Sequence, residues 1–153
     1  ISTGSKTNNA MLGVDPEGNK LRSMSYDLHD MGYNVGIISS VPVNHATPSS
    51  FYANSDSRYA YYSITEQLPG SGFEYFAAAG MINYYGDDDE NPKDGADIML
   101  EKQGVNVCFS IEEAEEAIKN ALKDYFDKNG IPYDAEQFKE TDHDELHAQV
   151  HGE

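Results

Sequence analysis

From Lys20 to Met31 the apolar residues Leu21, Met24, Leu28 and Met31 recur at spacings of three and four, and Gly32 follows as a stop. That spacing predicts a helix burying one side. Tyr33–Ser40 (YNVGIISS) is a short apolar run around Val35, Ile37 and Ile38, suited to a strand covered on both faces. Arg58–Leu68 returns to helical spacing through Tyr61, Ile64 and Leu68 and closes on Pro69-Gly70. Gly72–Ala79 (GFEYFAAA) then reads as a second strand.

The alternation continues with a helix over Ala96–Gln103 and a strand over Val105–Phe109. Ser110 with Glu113 three residues on is a capping box, and it opens a helix that runs to Lys128 and ends at Asn129-Gly130. Residues 1–19 lack periodicity and carry a turn signal at Asp15-Pro16-Glu17-Gly18. Helices alternating with strands predict an α/β fold with a mostly parallel sheet and flanking helices. Ligands of such sheets gather at the carboxyl ends of strands. The division follows the same pattern: an α/β segment over residues 1–128, then a polar tail over 129–153 containing His143, His147 and His151.

With 153 residues the chain is the size of one domain. Its 27 acidic residues against 10 basic ones give a formal charge of −17. A field of that sign repels polyanions and argues against nucleic acid or an anionic bilayer as partners. No apolar run approaches the roughly 20 residues that span a membrane. Carboxylates also attract hard cations, but the acidic stretch Tyr84–Asp97 fails as an EF-hand: counted from Asp87, Pro92 stands where the turn needs Gly and Ile98 where a bidentate Glu is needed. A solvated loop is expected there. Cys108, the single cysteine, lies among apolar residues and is expected to fill a buried strand position.

Two stretches carry candidate chemistry. In the tail, HDELH departs from the zinc-protease HExxH pattern by placing Asp144 where the general-base Glu belongs, and a frayed terminal helix is the simpler reading. The second is NHATPSSFYANSDSR, Asn44–Arg58, at the carboxyl end of the first expected strand. Thr47 offers a hydroxyl able to ligate magnesium, and His45 can orient metal-bound water. Arg58 offers a planar fork of donors that matches two phosphate oxygens. The same residues also make an ordinary capped loop, with Pro48 opening a helix at its first position, His45 in solvent and Arg58 paired to Asp56 or another of the many surface acids.

Taken in order, ISTGSKTNN, MLGVDPEGN, GYNVGIISSVPVNHATPSSFYANSDSR and GFEYFAAAG resemble the central portion of the alkaline phosphatase family. The likeness is closest over residues 1–80 and continues more loosely to about 120. It implies a partial alkaline-phosphatase-like sandwich within a metal-dependent phosphomonoesterase, a hydrolase acting on phosphate monoesters with two Zn2+ and one Mg2+. It also implies a homodimer and a periplasmic or secreted location. By resemblance Thr47 matches the hydroxyl ligand of magnesium, His45 the residue beside that ion, and Arg58 the arginine that grips substrate phosphate or inorganic phosphate.

The family's serine nucleophile lies in an Asp-Ser-Ala motif ahead of the segment matched by Ile1–Gly4, so Ser2 is not its equivalent and no catalytic residue is expected in this chain. The zinc ligands also fall outside the matched blocks, and His143, His147 and His151 do not stand in the family's zinc motifs. An inactive segment is therefore expected, contributing phosphate-binding and magnesium-site residues. A non-catalytic acidic binding module derived from the same fold is the alternative. Two departures stand out: Ala77-Ala78-Ala79 where glycines are expected, threatening to crowd the strand end, and Asn54 where relatives often carry His.

Overall fold

The computed structural model describes residues 1–132. They belong to two compact units, Ile1–Val107 and the stretch from Cys108 onward. His143, His147 and His151 lie outside the described residues.

The first unit is mixed α/β. Helix α1 spans Met24–Asp30, strand β1 Gly36–Ile38, helix α2 Ala46–Ser49, helix α3 Tyr61–Thr65, strand β2 Tyr75–Ala77 and helix α4 Ala96–Glu101. A short 3-10 turn, Pro69–Ser71, precedes β2. The strands pair in parallel, with Gly36 opposite Tyr75, Ile37 opposite Phe76 and Ile38 opposite Ala77. Beyond the strands the two chains keep running side by side: Ser39 N–H donates to Ala77 O at 2.9 Å, Ala79 N–H to Val41 O at 3.3 Å and Val43 N–H to Gly80 O at 2.9 Å. Ala78 and Ala79 are exposed beside this ladder, so their methyl groups do not crowd the strand end as the sequence suggested.

Among the described residues one cluster forms the core. Leu12, Ile37, Val43, Tyr52, Ala53, Ile64, Leu68 and Leu100 are buried together, and Phe73, Phe76, Val105 and Val107 pack against it. Ile37 and Phe76 face this cluster from paired positions, whereas Ile38 is 75% exposed. The expectation of a strand covered on both faces is thus corrected: the two-stranded sheet is covered on one face only. The expected strand at Val105–Phe109 is also absent. Val105 and Val107 lend side chains to the core without pairing to another strand, and Cys108 is half-buried and not in a strand.

Helix α1 corrects the periodicity argument too. Lys20 is taken by an antiparallel bridge to Val14, and the helix starts only after Ser23, whose hydroxyl accepts from Ser25 N–H. Met24, Leu28 and Met31, expected inside, are 49%, 42% and 71% exposed. The helix docks instead through hydroxyls: Ser25 Oγ donates to Phe51 O and Tyr26 Oη to Tyr52 O, each at 2.7 Å. Its stop is as the sequence predicts. Gly32 is left-handed at φ +87°, its N–H donates to His29 O and Tyr33 N–H to Leu28 O, the paired bonds of a Schellman ending.

In the second unit, helix α5 spans Ile111–Lys128. Glu113 N–H donates to Ser110 Oγ at 3.1 Å, while Glu113 Oε2 accepts from Phe109 N–H at 2.7 Å, a capping box displaced by one residue on its return bond. Gly130 at φ +64° and Ile131 N–H donating to Phe126 O close it as Asn129-Gly130 foretold. No helix among the described residues is long and apolar enough to cross a membrane.

Candidate functional site

The chain leaving β1 turns at Val41–Asn44 and enters α2. His45 is the N-cap residue, extended at φ −67°, ψ 147°, and its carbonyl accepts from Ser49 N–H and from Ser49 Oγ. Pro48 sits in the third helical position, not the first. Its missing N–H costs nothing there, because the first four N–H groups of a helix have no partner inside it. Thr47 is exposed in the first turn, and among the described residues no side chain or backbone group bonds to its hydroxyl.

Arg58 arrives from another direction. Ser55 forms an antiparallel bridge with Leu12 through two backbone bonds of 2.8–2.9 Å, and Arg58 N–H then donates to Ala10 O at 2.6 Å. Ala10 holds φ +65°, a left-handed conformation that is uncommon without glycine. With its backbone pinned there, Arg58 directs its guanidinium to His45: Nη2 lies 3.2 Å from Nε2. The capped-loop alternative is corrected on both counts, since Arg58 meets His45 and not Asp56, and His45 does not stand free in solvent.

A guanidinium only donates, so in this contact His45 Nε2 takes the acceptor role and Nδ1 is the ring nitrogen left to donate. Nδ1 of His45 and Nε of Arg58 are both buried with no hydrogen-bond partner. Each of the two contacting residues thus keeps one buried nitrogen without a partner. Buried donors are paired in the great majority of structures, so these two nitrogens are exceptions within the fold. Among the described residues no group of three or more His, Cys, Asp or Glu could hold a metal ion.

The periodicity of the sequence passed over Asn44, which is fully buried. Its Nδ2 donates to Ile82 O at 2.8 Å and to Thr65 Oγ1 at 3.0 Å, with Tyr61 O at 3.2 Å, and its Oδ1 accepts from Ile82 N–H at 3.0 Å. A polar residue directly after Val41-Pro42-Val43 was the available signal. Asn54 does similar work on the other side, donating to Leu21 O at 2.9 Å and also to Gly13 O. Gln67 holds both backbone groups of Asn54, accepting from its N–H at 3.0 Å and donating to its carbonyl at 3.1 Å. The acidic loop is tied down by ordinary contacts: Lys93 pairs with Glu66 at 3.3 Å, and Asp88 accepts from Glu90 N–H at 3.0 Å and Asn91 Nδ2 at 3.0 Å.

Among curated proteins the chain is similar to alkaline phosphatase 4 of Bacillus subtilis (strain 168), 36% identical over 58 residues, which cover 38% of this chain and 13% of that protein. Among solved structures it is similar to the alkaline phosphatase of the Antarctic bacterium TAB5, with 25% identity and a TM-score of 0.61 over 71% of this chain and 31% of that one. A histidine-to-aspartate variant of the TAB5 enzyme, described with Mg bound in its M3 site, superposes with a TM-score of 0.59 at 23% identity, covering 71% of this chain and 32% of that one. This chain therefore spans about a third or less of the length of these relatives. The model of one family, described as alkaline phosphatase, matches residues 1–85, more than half of the sequence, and the chain belongs to that family.

Proposed function

We propose that this chain forms the phosphate-binding and magnesium-facing wall of a metal-dependent phosphomonoesterase. Arg58 holds the phosphate of a monoester or inorganic phosphate, Thr47 supplies a hydroxyl to magnesium, and His45 stands beside that ion. The meeting of His45 and Arg58, with two buried and unpartnered nitrogens, supports this reading best. Phosphate oxygens are strong acceptors, and bonds from a charged guanidinium to them are about twice as strong as neutral ones. Arg58 uses one of its five N–H groups on His45, which leaves donors for an oxyanion.

Magnesium takes roughly six oxygen ligands in octahedral geometry. The exposed and unbonded hydroxyl of Thr47 fits as one of them, and Nδ1 of His45, free of any partner, suits an oxygen held next to the ion. When bound, magnesium would supply positive charge to phosphate oxygens. The described residues offer no comparable donor set for zinc. Ser2 is buried, and its carbonyl accepts from Met24 N–H at 2.8 Å, which suits a structural role and not a nucleophile. By this reading the chain alone binds phosphate without turning esters over, because attack needs an activated nucleophile and cations on the attacking and leaving oxygens. An exported location and a homodimer belong to the same proposal.

Phosphate titration with and without Mg2+, on the chain and on Arg58→Ala, tests it. Loss of the arginine should weaken phosphate by about tenfold or more. Equal affinity in the two proteins would remove Arg58 from the site, and ester turnover on adding zinc and magnesium would refute the inactivity.

A further inference from the structure

We propose that Asn44 is a positioning residue whose side-chain amide sets the approach of His45 to Arg58. The inference rests on the phosphate-site reading for its consequence, though not for its geometry. Where the backbone ladder that follows β1 and β2 ends, the Asn44 side chain extends it, accepting from Ile82 N–H and donating to Ile82 O as a peptide group would. The same amide reaches Thr65 Oγ1 and Tyr61 O on α3, and Thr65 Oγ1 itself donates to Tyr61 O at 3.0 Å.

Two separate segments, α3 and the chain at Ile82, therefore converge on one buried side chain. His45 is the next residue along the chain, and Arg58 lies three residues before Tyr61. The distance between the two site residues is in this way tied to a network whose members are all paired. A buried polar network of that kind holds a unique geometry, because any displaced member loses a partner it cannot replace from water. Thr65 is 1% exposed and Asn44 is fully buried, so no water competes for these bonds.

The test uses the full chain and reads the contact itself. The 15N signal of His45 Nε2 reports whether it accepts from Arg58, and Arg58→Ala supplies the reference for a broken contact. Asn44→Ala should move that signal toward the Arg58→Ala position while the amide spectrum around Ile64 and Leu68 is kept. Phosphate affinity should fall about tenfold in Asn44→Ala, as expected for a misplaced charged hydrogen bond, and Asn44→Ala should cost nothing further on top of Arg58→Ala. Thr65→Val, which removes one partner and leaves Asn44 in place, should shift the His45 signal partway. An unmoved His45 signal in a folded Asn44 variant, or additive losses in the double variant, overturns the proposal. Loss of the fold in both variants does so too, since Asn44 is then structural only. If Arg58→Ala leaves phosphate binding unchanged, the phosphate reading fails by itself, and the His45 signal still decides the role of Asn44.

Discussion

At Gly13 the backbone is left-handed, φ +62°, and a Cβ would fall 2.4 Å from Ala53 O and 2.6 Å from Asn54 Nδ2. The crowding has a purpose: Gly13 O takes bonds from Asn54 Nδ2 and from Leu21 N–H, so three strands of loop cross at one point. Gly13→Ala should destabilise by at least about 2 kcal/mol, combining left-handed strain with a clash against a carbonyl that cannot turn away. Gly4 is the control. It has a similar φ of +69° but nothing within 4 Å, so Gly4→Ala should cost only the strain, about 1–2 kcal/mol. Urea unfolding of the two variants compares them directly, and equal losses would mean that close approach at Gly13 carries no weight. Such crossings are also why the site holds its shape: Arg58 hangs from Ala10 O, on the loop that Leu12 and Ser55 bridge.

At the level of elements, β1 separates what hydrophobicity can and cannot disclose. Ile37 and Ile38 are equivalent in sequence, yet Ile37 faces the core and Ile38 is 75% exposed. Ile37→Ala should cost about 2–5 kcal/mol, the usual range for emptying a buried position. Ile38→Thr, which keeps the β-branch, should stay within about 0.5 kcal/mol. Thermal and urea midpoints of the pair test this, and a large loss at Ile38 would show that its face is covered in solution. The sequence disclosed element type where local rules decide it, as at the Gly32 and Gly130 endings and the Ser110 cap. It misled where tertiary hydrogen bonds outweigh apolar spacing, as in α1, which docks through Ser25 and Tyr26 and leaves three apolar residues outside. The expected strand at Val105–Phe109 failed for a related reason: β-propensity measures fit to a pleated neighbour, and none pairs with it among the described residues. His45, Thr47 and Arg58 could be singled out from residue chemistry and family resemblance, but the contact between His45 and Arg58 depends on folds of loop that carry no period.

For the molecule as a whole, stability should respond unequally to acid and base. Burial raises the phenol pKa of Tyr26, Tyr52, Tyr62 and Tyr84 above the ordinary 10.0, and Tyr84, which also faces Asp97, is pushed up to about 12. A folded pKa above the unfolded one means that these phenols contribute fully below about pH 10, and that the contribution is lost as pH climbs through the folded values. Each phenolate also adds to a chain that already carries −17, so self-repulsion acts in the same direction. On the acid side Asp15, Glu74, Asp88, Asp97 and Glu112 have lowered pKa values from hydrogen bonds to their carboxylates. Their contribution is present above the unfolded values and lost as pH falls below them. Glu74, Asp88 and Glu112 are solvent-exposed, however, and Asp15 and Asp97 only half-buried, where such bonds are weak, and protonating acidic residues relieves the net repulsion. The two acid effects oppose each other while the two alkaline effects add. The thermal midpoint should therefore change little from neutral pH down to about 5 and fall steeply above about 10. Near-ultraviolet absorbance should show a set of tyrosines ionising only with that fall, and Tyr52→Phe should make the alkaline limb shallower while losing the bond from Tyr52 Oη to Val43 O. A midpoint that stays level through the alkaline range, with all tyrosines titrating together near 10, would show that burial does not hold these phenols protonated.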